Sequence, residues 1–156
     1  MHRNQYMANR IREVYLDGKW VANTNYKCAI EKLTWIEATS KLGNLNTIGA
    51  LIFHVNYYLA GLIEVFEGGE FVIRDKYSFD MPLIESQNIW NDLRNTFLAN
   101  AEKFAAHVEN LQDTQFDEPF VDEKYGTYLR NIEGVIEHGY YHLGQISLII
   151  KMIKEK

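Results

Sequence analysis

The sequence predicts an all-α protein, a four-helix bundle filling one domain over residues 1–156. Three observations predict it. Apolar residues recur at steps of three, four and seven through long segments, the spacing of one buried helix face. Only two prolines occur, Pro82 and Pro119, and both fall in stretches that read as connections, leaving the other segments free to be helical. Hydrophobic residues make up 47% of the chain, with ten Tyr, eight Phe and three Trp, enough to build a full core.

The first helix runs to about Leu16 and is ended by Asp17-Gly18. A more broken helical region follows from about Thr24 to Ser40. Within it Thr34-Trp35-Ile36-Glu37 has the capping-box spacing, so a fresh turn starts at Thr34. After the cap region Asn44-Leu45-Asn46, a helix extends from about Thr47 to Glu67 and stops at Gly68-Gly69. Residues 70–83 read as irregular, with Phe71-Val72-Ile73 the one strand-like run. From about Ile84 to Leu111 the spacing of Trp90, Leu93, Phe97, Phe104, Val108 and Leu111 is helical. A second irregular stretch carries Pro119 and Gly126. The last helix spans about Tyr128 to Met152, with Ile132, Val135, Ile136, Leu143, Ile146 and Ile149 on its buried side. The linker of about fourteen residues after Gly69 reaches roughly 45 Å when extended, more than the ~30 Å of a twenty-residue helix. It is long enough to return along the bundle and set the next helix parallel to the previous one.

The formal charge of -5, with no basic block, argues against nucleic acid as a partner, because polyanion binding needs lysine and arginine to neutralise phosphates. The single cysteine, Cys28, rules out an intramolecular disulfide and a Cys-rich zinc ribbon, and suits a reducing cytoplasm. As a lone thiol it is expected to be a small buried hydrophobe. The N-terminus lacks the apolar core of a signal peptide, and apolar runs such as Ile48 to Phe53 are short for a bilayer. A cytoplasmic protein without membrane insertion is the expectation.

In the last helix, His138 and His142 are four residues apart and therefore stack on one face, Cβ atoms roughly 5–6 Å apart. That face also carries Val135 and Ile149, so it points inward. Buried imidazoles need partners for their ring nitrogens, and a shared cation supplies one. A pair of this kind is a weak signal by itself. His54 adds to it, on the mostly apolar stripe Ala50, Leu51, His54, Tyr57, Tyr58 and Gly61 of another helix. Gln145, one turn beyond His142, can orient a ligand. Tyr57, Tyr58, Tyr140 and Tyr141 flank the histidines and can offer hydroxyls to a substrate, although aromatic filler is the better reading for at least two of them. Glu137 points about 100° away from His138 and reads as a solvated charge, as does Glu64. His107 reads as exposed, and Gly134, Gly139 and Gly144 as room for close helix approach or space beside the site.

On these residues the chain resembles the DinB-like (YfiT-like) family over almost its whole length. The resemblance rests on the helix beginning near Asn46 with its inward His54, on Phe79-Asp80-Met81-Pro82 before a Trp-bearing helix, and on Glu137-His138 through His142-Leu143-Gly144-Gln145. It implies a bundle in up-down-down-up order with a long connection between its second and third helices. It implies a divalent metal, zinc or nickel, on His54, His138 and His142. It also implies a metal-dependent hydrolase or a transferase using a low-molecular-weight thiol, with homodimers common among similar bundles. Three neutral imidazoles leave a coordination position open, the catalytic pattern, at which water or a thiol would be the nucleophile. Two other readings stand beside the enzyme: a non-catalytic binder of metal and small ligands, and a structural dimerisation bundle with vestigial histidines.

Overall fold

In the computed structural model, which describes residues 2–156, four long helical segments pack around one core. Helix α1 (Arg3–Arg12) continues through a π-helical turn, Glu13–Asp17. Two short helices follow, α2 (Tyr26–Ile30) and α3 (Trp35–Ala38), then α4 (Ile48–Phe66), α5 (Gln87–Glu109) and α6 (Tyr128–Lys154). The starts follow from local chemistry. Thr34, Thr47, Ser86 and Thr127 each turn a hydroxyl back to accept an amide hydrogen of the first turn, at Glu37, Ala50, Ile89 and Arg130. Each such cap contributes about 1 kcal/mol. The capping box at Thr34 and Glu37 is complete in both directions.

Side-chain contacts give the helix directions. Arg12 bonds Glu102 while Asn4 bonds the Glu109 carbonyl, so α1 and α5 are antiparallel. Asn56 meets Asn100, and Glu67, just past the end of α4, meets Lys103 and His107, so α4 and α5 run parallel. His54 meets His138, and Phe66 meets Tyr128, so α6 runs against α4. These pairs order the long helices up, down, down, up. Residues 67–86 make the crossover that the parallel pair requires.

The core is aromatic at both levels of the bundle. Tyr15 stacks on Tyr26 at 5.1 Å, and Phe97 meets both edge-on. Further along, Phe66 contacts Phe104, Phe120 and Tyr128. Trp90 is fully buried and donates its indole N–H to the Leu33 carbonyl at 2.9 Å, which ties the α2–α3 connection to α5.

Several expectations need correction. Helix α5 starts at Gln87, not near Ile84, because Ser86 supplies the cap; Ile84 instead is buried against Gly49. Phe71-Val72-Ile73 does not pair as a strand; Ile73 lies across Gly61, and Phe71 packs on Phe120 and Tyr125. Cys28 is exposed, since α2 turns Tyr26 and Ile30 inward and position 28 falls on the opposite side. His107 is half-buried, with Nε2 3.2 Å from Glu67. By length and composition the 19-residue α4 is apolar enough to cross a membrane, although His54, Asn56 and Tyr57 break its apolar runs. It is packed between α5 and α6 as a core helix, with half its most apolar window buried.

Candidate metal centre

Mid-length on α4, His54 is 9% exposed; across from it on α6, His142 is 7% exposed and His138 half-buried. The approach of α6 to this region depends on Gly139. Its carbonyl accepts the Tyr26 hydroxyl at 2.7 Å, while the Tyr15 hydroxyl donates to Val135 one turn earlier at 2.9 Å. A Cβ at position 139 would lie 2.7 Å from the Tyr15 oxygen. Two buried phenols thus fix the position of α6, and His138 and His142 with it.

The three rings converge. His138 Nε2 lies 3.1 Å from His54 Nε2 and 3.0 Å from His142 Nε2, and one nitrogen from each residue falls within a 4.8 Å set. The outer nitrogens show how the protons are arranged. Nδ1 of His142 is 2.7 Å from the Gln145 side-chain oxygen, so it carries the proton and leaves Nε2 with a lone pair. Nδ1 of His54 is buried with no partner at bonding distance, while the Ser78 backbone nearby partly offsets the effect of burial on the ring. His138 Nε2 has a single in-plane position, a hydrogen or a lone pair, to offer two neighbouring ring nitrogens. A cation resolves that conflict. An ion about 2.0–2.1 Å from two nitrogens, at angles near 90–110°, holds them about 2.9–3.4 Å apart, which brackets both measured edges.

The surroundings disfavour protons on these rings. Burial, then the charges of His142 and His54, pushes the His138 pKa down to about 4. Burial and His142 lower His54, and burial lowers His142 against the pull of Gln145. Neutral imidazole, the metal-ligating form, is thus what the folded state prefers. The unfolded chain has ordinary histidines near 6.5. Without metal, stability is full above that value and falls as pH drops from about 6.5 toward 4, because the unfolded state takes up protons that the folded state refuses. Urea midpoints measured across that interval test this, and His138→Gln flattens the slope.

Of the other sequence candidates, Gln145 sits where expected. Tyr58 meets His54 and His138 edge-on at 5.1 and 5.3 Å and donates its hydroxyl to Asp75 at 2.8 Å. The Tyr57 hydroxyl is occupied by the Arg74 backbone, accepting its N–H and donating to its carbonyl, so Tyr57 pins the crossover and does not reach the histidines. Tyr141 touches the His142 ring at 4.9 Å but is 65% exposed. Tyr140 turns toward Glu13, and Glu137 is exposed and paired with Arg130. A further residue emerges from the crossover: Phe79 lies flat on His54, centroids 4.2 Å apart and planes at 11°. Its one sequence signal was its place in Phe79-Asp80-Met81-Pro82, which carries no period.

Beside His138 an open cavity of about 760 Å³ runs between α4, the crossover and α6. Tyr58, Leu62 and Ile73 line one side; Arg130, Gly134 and His138 line the other. His138 is the triad member on that wall.

No curated protein and no solved structure matches the chain. The family model described as DinB superfamily matches residues 28–146, well over half the chain and inclusive of all three histidines. With that match over an all-helical bundle, the chain belongs to the DinB superfamily.

Proposed function

We propose that this protein is a metal-dependent transferase or hydrolase acting on a small molecule, with one divalent ion, zinc or nickel, held by His54, His138 and His142. The observation that carries the reading is the meeting of three Nε2 atoms, that of His142 with its lone pair set by Gln145 at the opposite nitrogen. A bound ion there supplies positive charge that makes a water or thiol beside it more acidic and hence nucleophilic at neutral pH.

The chain's own groups do the rest. Gln145 holds the Nδ1 proton of His142 and so fixes which nitrogen faces the centre. Phe79 covers one face of His54 and keeps water from it. Tyr58, anchored by Asp75, borders the cavity next to His138. A substrate enters from the cavity, since His138 alone of the triad lines it. Removing the Gln145 amide with Gln145→Ala lowers zinc affinity about 10- to 100-fold while the fold persists, as read by competition with a chromogenic chelator.

The test uses protein purified without a histidine tag, dialysed against zinc or nickel and assayed with low-molecular-weight thiols, an electrophile panel and an ester panel. Stoichiometric metal and turnover that disappears in His142→Ala are expected. Turnover unchanged in that variant overturns the reading. Thermal stabilisation by a thiol with no product selects non-catalytic binding.

A further inference from the structure

We propose that the cavity beside the triad takes an elongated organic carboxylate, its acid end on Arg74 and Arg130 and its other end presenting a ligand atom at His138. This deepens the metal-dependent reading and rests on it.

The floor is a straight row on α6. Arg130, Gly134, His138 and His142 follow at steps of four, so they lie on one face. Arg130 and His138 are about 12 Å apart along the axis, less what their side chains reach toward each other. Between them Gly134 leaves the floor open: a Cβ there meets nothing within 4 Å. Leu62, Phe71, Ile73 and Val135 make the middle apolar, suited to a carbon chain.

Three charged residues line the cavity, Arg74, Asp75 and Arg130. Asp75 stands toward the triad, accepting the hydroxyl of Tyr58, whose ring meets His54 and His138. Arg74 and Arg130 both line the cavity. Arg74 has no carboxylate partner among the described residues and spends one N–H on the neighbouring Ile73 carbonyl. Its backbone is held on both sides by the Tyr57 hydroxyl, which sets the position from which its side chain extends. Arg130 is paired with Glu137, but both are more than half exposed, and such a pair is worth too little to compete with a ligand. Two positive charges against one carboxylate, itself bonded by Tyr58, leave the cavity attractive to an anion. The volume, about 760 Å³, suits a small-molecule site.

The test is calorimetry on the full chain, first with zinc alone and then, zinc-loaded, with mercaptohexanoate, the neutral mercaptohexanol and the shorter mercaptopropionate. Mercaptohexanoate is expected to bind about tenfold tighter than either comparator. Arg74→Met removes its advantage over the alcohol and leaves zinc affinity unchanged. Gly134→Leu, a helix-favouring change, blocks the long acid and spares the short one. Equal binding of acid and alcohol by zinc-loaded protein overturns this proposal alone, as does an advantage that survives in the Arg74→Met, Arg130→Met double variant. Failure of zinc to bind overturns this proposal together with the reading beneath it.

Discussion

Alanine at position 138 lowers zinc affinity by at least about a hundredfold, more than the loss of any group that only orients a ligand. His138 Nε2 is the vertex common to both short separations, 3.1 Å to His54 and 3.0 Å to His142. Removing it leaves two imidazoles on different helices without the nitrogen that joins them. A second effect has the opposite sign. The His138 pKa is pushed down to about 4, so the metal-free native state is penalised in acid. The variant lacks that penalty, and its metal-free stability near pH 5 rises relative to its stability at pH 7.5 when compared with the parent. Chelator competition reads the first effect and urea unfolding at the two pH values reads the second. A residue present only for packing produces neither.

Valine at position 139 costs about 3 kcal/mol, whereas at position 144 alanine has the opposite sign. At 139 the new Cβ falls 2.7 Å from the Tyr15 oxygen, 2.9 Å from its ring carbon and 3.2 Å from a methyl of Val14. Tyr15 has no room to retreat. It is fully buried, stacked on Tyr26, edge-on to Phe97, and bonded to the Val135 carbonyl. Overpacking of this kind costs about 1–3 kcal/mol, and two further methyl groups take it to the upper end. At Gly144 a Cβ meets nothing within 4 Å, so alanine returns helix propensity of about 1 kcal/mol. Denaturant midpoints of the two variants test both signs. Because Gly139 adjoins His138, its replacement also weakens zinc binding by displacing the stretch of α6 that carries His138 and His142 from its seat on Val14 and Tyr15.

How much of this was legible beforehand depended on periodicity. Helices α4, α5 and α6 announced themselves because their buried residues repeat at the helical period, although periodicity alone put the start of α5 at Ile84 where the Ser86 cap puts it at Gln87. The histidine pair on α6 follows from the same geometry, since residues four apart share a face. His54 was legible because its own helix carries it on an inward stripe. What escaped came from segments without a period. Phe79, Ser78, Asp75 and Arg74 reach the site from the crossover, whose path is decided by long-range packing of Ile73 on Gly61 and Ile84 on Gly49. Tyr57 and Tyr58 are adjacent and looked equivalent, yet only Tyr58 borders the histidines, because the crossover claims the Tyr57 hydroxyl. Cys28 was misjudged from residue type alone, when the inward pair Tyr26 and Ile30 already placed it outside.

X-ray absorption of the zinc-loaded, tag-free protein tests the central claim most directly. The account predicts three imidazole nitrogens at about 2.0–2.1 Å, completed by lighter oxygen or nitrogen scatterers, with one imidazole lost in His54→Ala. A spectrum with fewer than three imidazoles, with sulfur in the first shell, or unchanged by His54→Ala would contradict it.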